Sequence, residues 1–271
     1  MKGGKQMPLN ITNFIFTSEV LNHLDMKYTK NLNLDFNKVF LYSNILDLPL
    51  IYGAGSNKTD YNIYNKLHHE YHYNLILNLI DFIKSQRYLK NHILFLYGSI
   101  CNLILNDHLN NFFKEENKEL RIKEFDFYYG LKNNIDLSNN KLCNIFPKSF
   151  ILTFNDYDII NEMLNKTYSF SLGEKLYKVS LKKYKQVLKS NGLNKLRLRI
   201  LDIFSKNIKY SYYMYPTKNK KSAEEIDFIA NDLEFNQLIK KALEESIKLI
   251  NICNQALFYK NDKELNLYFQ K

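Results

Sequence analysis

The most apolar part of the chain reads His92-Ile-Leu-Phe-Leu-Tyr-Gly-Ser-Ile-Cys-Asn-Leu-Ile-Leu-Asn-Asp-His-Leu-Asn-Asn-Phe-Phe113. Wound into a helix, this stretch carries apolar residues on nearly every side, and such a helix belongs in the interior of a fold. We therefore expect a helix over residues 94–110 at the centre of the molecule. In that position Leu103 and Ile104 would be buried.

Asparagine recurs at every fourth residue of this helix, at Asn102, Asn106 and Asn110. With 3.6 residues per turn these side chains form one slowly drifting row, and Gly98 continues the row one turn earlier. A buried amide without hydrogen-bond partners costs free energy, so the row indicates a shared polar site or a wet cavity. The alternative is that the row faces a solvent groove, as polar helix faces commonly do.

Turn-forming residues are sparse, with eight Gly and four Pro among 271 residues. Together with many apolar-periodic segments, this composition predicts an all-α fold, a multi-helix bundle around the buried central helix. No internal repeat or low-complexity linker divides the chain. We therefore expect a single domain over residues 1–271, with flexible ends at 1–6 and 262–271.

Further helices are predicted on both sides of the central one. Ser18 is the expected N-cap of an amphipathic helix near the start of the chain. Beyond Phe150, apolar periodicity predicts helices near 156–165, 173–190, 193–212, 223–232 and 235–258.

The chain is basic, with a net charge of +10 and a pI near 9.2. Such a charge suits an anionic phospholipid surface or nucleic acid. Two groups of lysines would supply the basic patches: Lys182, Lys183 and Lys185, and Lys218, Lys220 and Lys221. No nucleic-acid-binding motif interleaves these lysines, so nucleic acid is the less favoured partner. Binding that rests on dispersed lysines is expected to fade with salt.

The cysteines and the N-terminus indicate the compartment. Cys101, Cys143 and Cys253 each lie in an apolar run and are predicted to be reduced core residues. No apolar stretch reaches the roughly 18 residues expected of a membrane span. The N-terminus lacks the apolar segment of a signal peptide. We therefore expect a cytoplasmic protein without a transmembrane segment.

The central stretch resembles the bacterial zinc-dependent phospholipase C family, whose pattern at this point runs G-x-x-x-H-x-x-x-D-x-x-x-H-P. Gly98 and the register match this pattern. At the positions where the family has His, Asp and His to hold metal, this chain has Asn102, Asn106 and Asn110. Asn111 replaces the Pro.

The resemblance continues outside the central helix. Asn13 follows Thr12 where the family has Thr-His, so another expected ligand is replaced by asparagine. Leu67-His68 matches a Leu-His of the family, which makes His68 the retained ligand position.

Two further family positions are only partly matched. Glu124 stands for the Glu of a metal-binding H-x-x-x-E pair, but Leu120 occupies the position of its His. Gly53-Ala54 matches the start of a loop whose Asp bridges metals in the family, and Asp60 is the candidate for that Asp.

The resemblance implies a helical fold of the phospholipase C type and, in active members, zinc-dependent cleavage of a phosphodiester. Zinc needs several deprotonated nitrogen, oxygen or sulfur ligands, and a neutral asparagine amide is a poor substitute. We therefore expect a catalytically inactive pseudoenzyme without zinc, which keeps an Asn-lined polar pocket for binding or for a structural role. The pocket-lining residues would be Asn13, His68, Asn102, Asn106, Asn110 and Glu124. The sequence does not specify the ligand or protein partner of this pocket.

The alternative is a zinc-dependent phosphodiesterase or phospholipase with a reduced metal site. Its zinc would be held by His68, Asp60 and Glu124, with His72 as a further ligand.

Overall fold

A computed structural model describes residues 10–25, 27–28, 35–47, 66–70, 72–85, 90–114, 122–133, 154–168, 178 and 232–270. This part of the chain is almost entirely helical and contains no β-strand, so the predicted all-α class is confirmed. The α-helices of the described residues are α1 (Asn10–Asn22), α2 (Phe36–Ser43), α3 (His72–Ser85), α4 (Lys90–Lys114), α5 (Ile122–Lys132), α6 (Phe154–Tyr168), α7 (Leu233–Phe258) and α8 (Lys263–Phe269). A short 3-10 turn, Ile45–Asp47, follows α2, and a π-helical turn, Lys66–Glu70, precedes α3.

Helix α4 lies at the centre of this bundle. It packs against α1, α2, α3, α6 and α7. Leu103 and Ile104 each expose only 1% of their surface, which confirms the position predicted for this helix. An apolar residue on any side of α4 therefore meets another helix, and this explains why the stretch is apolar nearly all round.

Buried polar contacts connect the outer helices to one another and to α4. The Tyr97 hydroxyl of α4 donates a 2.6 Å hydrogen bond to the Asn254 side chain of α7. On α6, the buried Asp156 carboxylate accepts hydrogen bonds from the Tyr42 hydroxyl at 2.6 Å and from Lys38 Nζ at 3.1 Å, both on α2. Each contact satisfies a polar group that would be costly to bury alone.

An aromatic cluster joins α4, α5 and α7 at one end of the bundle. Its members are Phe112, Phe113, Phe125, Tyr129 and Phe235, with ring centroids of contacting pairs 5.0–6.1 Å apart. Edge-to-face and tilted geometries prevail, as expected for aromatic pairs in a core.

The predicted N-cap at Ser18 is wrong. Helix α1 begins at Asn10, and Ser18 lies in its interior. The first backbone N–H groups are satisfied by a distant side chain instead: Asp126 of α5 accepts hydrogen bonds from the N–H of Ile11 at 3.2 Å and of Thr12 at 2.7 Å. A carboxylate at this end also suits the positive pole of the helix dipole.

The C-terminal segment 262–271, for which the sequence predicts a flexible end, contains a helix. Residues 263–269 form α8. Leu265 is buried in the core, and the Tyr268 hydroxyl donates a hydrogen bond to Glu245 of α7. These two contacts dock a segment that would be too short to form a stable helix alone.

Some of the remaining sequence predictions concern described residues, and others concern residues outside the described part of the chain. The helices predicted near 156–165 and 235–258 are confirmed as α6 and α7. Those at 173–190, 193–212 and 223–232 lie outside the described residues, apart from positions 178 and 232, as do both predicted lysine patches and residues 1–6. Cys101 and Cys253 are buried free thiols, as predicted, and Cys143 is not described. None of the described helices is both long enough and apolar enough to cross a bilayer.

Candidate functional site

The asparagine row of α4 runs from the interior of the bundle towards its surface. Asn102 exposes 2% of its surface, Asn106 exposes 9%, and Asn110 is partly exposed. The row predicted from the four-residue spacing is therefore buried at Asn102 and accessible to solvent at Asn110.

Gly98, one turn before Asn102, allows α2 to lie unusually close to α4. A Cβ atom at this position would come within 2.7 Å of the Ser43 backbone nitrogen and within 2.8 Å of the Val39 carbonyl oxygen. Real Cβ atoms do not approach backbone so closely, so only glycine fits here without a shift of α2. Because α2 and α4 cross so closely, the turn that follows α2 lies against the asparagine row.

That turn supplies Asp47, a buried carboxylate, to the row. The Asn102 side-chain amide donates a 2.9 Å hydrogen bond to Asp47 Oδ2, and the Asn106 amide donates a 3.2 Å hydrogen bond to Asn102 Oδ1. His68, from the π-helical turn, places Nε2 at 3.3 Å from Asp47 Oδ1. We call Asp47, His68, Asn102 and Asn106 the Asp47 cluster.

The neighbours of His68 determine which form of its ring is present. Nε2 lies 3.3 Å from both Asp47 Oδ1 and the backbone carbonyl oxygen of Leu46. A carboxylate and a carbonyl can only accept hydrogen bonds, so Nε2 must carry a hydrogen in this arrangement. A metal ion could bind this nitrogen only by displacing that hydrogen.

The hydrogen bonds between the side chains of the Asp47 cluster are directed towards the carboxylate. Asn106 donates to Asn102 and Asn102 donates to Asp47, while His68 Nε2 lies 3.3 Å from the other oxygen of Asp47. A buried carboxylate is stable only when such donors replace water. The cluster thus compensates one buried negative charge with amide and imidazole groups.

The other predicted pocket residues do not share these hydrogen bonds. Asn13 is buried in the first turns of α1, where its side-chain oxygen accepts a 3.1 Å hydrogen bond from the Thr17 hydroxyl. Glu124 is partly exposed near the start of α5. The carboxylate that α5 buries is Asp126, two residues later, which is occupied by the N-terminus of α1. Asp60 and the side chain of His72 lie outside the described residues.

Sequence reasoning missed Asp47. The family resemblance points to Asp60, after the glycine loop, as the metal-bridging carboxylate, whereas Asp47 lies in the apolar run Ile45-Leu-Asp-Leu-Pro49. The available signal for Asp47 was its position between two leucines, because an aspartate is buried only when it has hydrogen-bond or charge partners.

The described residues do not fit a zinc centre. Within them, no group of three or more His, Cys, Asp and Glu side chains converges closely enough to hold a metal ion. Asp47 and His68 are the two ligand-type residues of the Asp47 cluster. Asp47 accepts a hydrogen bond from Asn102, and His68 Nε2 lies 3.3 Å from both Asp47 Oδ1 and the Leu46 carbonyl oxygen. The amide positions add neither an anion nor an imidazole.

No protein-family model matches this sequence, and no curated protein or solved structure matches the chain. The phospholipase C resemblance rests on the register of the residues given above.

Proposed function

We propose that this chain is a catalytically inactive protein of the zinc-dependent phospholipase C type, with the Asp47 cluster in place of a metal centre. The observation that supports this proposal is the 2.9 Å hydrogen bond from the Asn102 amide to the Asp47 carboxylate. At a family position for a metal-binding histidine, this side chain offers a hydrogen to a carboxylate and no lone pair to a cation.

The polar groups around Asp47 come from the chain itself. In a metal site, cations would balance the buried carboxylate. Here the Asn102 amide donates a hydrogen bond to Asp47, the His68 ring lies 3.3 Å from the same carboxylate, and the Asn106 amide fixes the orientation of Asn102. Replacement of His and Asp by Asn preserves side-chain size and hydrogen-bonding ability, so the polar row can persist while the hydrolytic chemistry is lost.

Without hydrolytic chemistry, the asparagine row would either bind a ligand or have a structural role in the pocket. Asn110 is partly exposed at the outer end of the row, and Asn106 comes next towards the interior. A ligand that entered from this side would meet amide groups, which both donate and accept hydrogen bonds. The proposed pocket would therefore select ligands by hydrogen-bond pattern.

The experiment is a comparison of zinc binding before and after ligands are restored. Elemental analysis of the purified wild-type chain should find no stoichiometric zinc, and the chain should not hydrolyse a phosphodiester. The double variant Asn102→His/Asn106→Asp should bind zinc at least about tenfold more tightly in a zinc titration, because two new ligands would join Asp47 and His68. Addition of Asn13→His and Asn110→His would complete the family pattern.

A matched control separates a built site from adventitious zinc. Introduction of His68→Ala into the double variant removes one proposed ligand and should abolish the gain. If the double variant gains no affinity, or if the gain survives His68→Ala, the family register assumed for this site is wrong.

The second candidate function is the zinc phosphodiesterase with a reduced site. The observation in its favour is the proximity of a buried carboxylate and an imidazole, Asp47 and His68, because both are common zinc ligands. Stoichiometric zinc in the wild-type chain, together with phosphodiesterase activity that His68→Ala abolishes, would select this function over the first.

A further inference from the structure

A cavity of about 610 Å³ lies where α3, α4, α7 and α8 meet. It occupies a different side of α4 from the Asp47 cluster. His108, which lines the cavity, comes six residues after Asn102 and therefore points about 240° away around the helix. The volume falls within the roughly 300–1,000 Å³ of small-molecule sites. We call this space the α7–α8 cavity.

Glu245 lies in the wall of this cavity with both carboxylate oxygens engaged. His108 Nε2 is 2.7 Å from Oε2, and the Tyr268 hydroxyl donates a 2.6 Å hydrogen bond to Oε1. Burial raises the pKa of Glu245, but the hydrogen bonds from Tyr268 and His108, together with the charges of His108 and Lys248, outweigh burial and leave the pKa below its usual value. The ionised Glu245 is therefore held by its neighbours and forms part of a fixed wall.

Two lysines flank Glu245 on the same side of α7. Lys241 and Lys248 both line the cavity and are exposed. Seven residues correspond to almost two full turns, so the two side chains leave α7 within about 20° of each other. Neither lysine forms an ion pair with another residue in the described part of the chain. The exposed Glu244 also lines the cavity and leaves α7 about 60° from Lys241 and about 40° from Lys248.

Aromatic rings form the opposite part of the lining. Phe269 of α8 contacts Tyr73 of α3 edge to face, with ring centroids 5.7 Å apart, and contacts Tyr268 with centroids 5.1 Å apart. Tyr73 leaves 41% of its surface exposed. An exposed aromatic ring beside a cavity offers a stacking surface to a planar ligand.

We propose that the α7–α8 cavity binds a small organic anion that carries an aromatic ring. The ring would pack against Tyr73 and Phe269, and the anionic group would lie between Lys241 and Lys248. Lysine ammonium groups form charge-assisted hydrogen bonds with carboxylate or phosphate oxygens. Because it depends on other residues, this proposal is independent of the function of the Asp47 cluster.

The test uses the full chain and three probes: naphthoate, the neutral naphthylmethanol, and cyclohexanecarboxylate, which is an anion without an aromatic ring. Isothermal titration should show saturable one-to-one binding of naphthoate. We expect naphthoate to bind at least about fivefold more tightly than either of the other probes, because only naphthoate combines a charge with an aromatic ring.

Variants assign the binding to the proposed groups. Lys241→Gln/Lys248→Gln should weaken naphthoate binding to the level of naphthylmethanol and leave naphthylmethanol binding unchanged. Tyr73→Ala should weaken both aromatic probes. The matched control is Lys240→Gln, an exposed lysine next to Lys241 that does not line the cavity, and it should change neither affinity.

Each contrary outcome overturns the proposal. The first is that naphthoate shows no saturable binding, and the second is that the double lysine variant binds naphthoate as tightly as the wild type. The third is that Lys240→Gln loses as much affinity for naphthoate as the double variant, which would indicate general charge attraction. All of the substituted residues are exposed, so circular dichroism spectra should be unchanged, and Tyr73→Ala tests the cavity independently of the lysines.

Discussion

The side-chain amide of Asn102 donates a hydrogen bond to the carboxylate of Asp47, which lies 55 positions earlier in the chain. Both residues are almost completely buried. A buried carboxylate that loses a donor loses most of what compensates for its dehydration, so this contact should matter more than an average hydrogen bond. The polar row on an otherwise apolar helix is thus explained by one acidic residue opposite it.

The first prediction is that Asn102→Ala destabilises the fold. Removal of the amide leaves Asp47 with one donor fewer in the interior, which costs about 1–3 kcal/mol. Urea unfolding followed by circular dichroism measures the change in the free energy of unfolding.

The control for this prediction is Asn110→Ala in the same helix. It makes the same chemical change two turns later, where the side chain is partly exposed, and it should alter the free energy of unfolding by no more than about 0.5 kcal/mol. Equal effects of the two substitutions would contradict a special role for the contact with Asp47.

The central helix could be predicted because its signal is local. A stretch that is apolar on nearly every side must be surrounded, and α4 is surrounded by other helices of the described chain. The asparagine row was also visible in the sequence, together with the need for a polar partner. The identity of that partner was not visible, because Asp47 reaches the row only through the crossing of α2 and α4.

The start of α1 illustrates the same limit. Serine is a preferred N-cap residue, and the predicted helix start at Ser18 rests on that local preference. The backbone N–H groups of Ile11 and Thr12 are capped instead by Asp126, a residue more than a hundred positions later. Local propensity is a weak guide wherever a distant side chain performs the same task.

The second prediction is that Gly98→Ala destabilises the protein although alanine favours helices. The new Cβ would meet backbone atoms of Ser43, Val39 and Tyr42 within 2.9 Å, so α2 would have to move. Overpacking of this kind costs about 1–3 kcal/mol, which exceeds the roughly 1 kcal/mol gained in helix propensity. Chemical denaturation measures the net change.

Ser99→Ala is the neighbouring control. The Ser99 hydroxyl is buried without a hydrogen-bond partner among the described residues, so its removal should leave the free energy of unfolding unchanged or raise it by up to about 1 kcal/mol. A stabilising Gly98→Ala would mean that α2 and α4 are not in close contact.

The third prediction concerns pH. His92 is buried against the Phe82 ring, and burial lowers the pKa of its imidazole from 6.5 to about 4. The unfolded chain therefore binds a proton between pH 6.5 and 4 that the folded chain does not, and stability must fall as the pH falls through this window. Between pH 7 and pH 4.5 this residue alone should remove about 2 kcal/mol from the free energy of unfolding.

The variant His92→Leu isolates this contribution. Buried carboxylates titrate in both proteins, so the difference between the two pH profiles reports His92. The wild type should lose more stability than the variant between pH 7 and pH 4.5, as measured by urea unfolding at each pH. Parallel profiles would show that His92 is not buried in its neutral form.

The last prediction tests whether α8 is docked, and the helix itself provides a matched pair of leucines. Leu265 exposes 4% of its surface and belongs to the core, whereas Leu267 exposes 56%. A seven-residue helix is not stable alone, so α8 persists only through its contacts and can open without global unfolding. Leu265→Ala should therefore accelerate hydrogen exchange of the amides in 263–269 by at least about tenfold, since loss of a buried leucine side chain costs 2 kcal/mol or more. Leu267→Ala removes the same atoms from an exposed position and should leave exchange nearly unchanged. Fast exchange of this segment in the wild type would restore the flexible end that the sequence predicted.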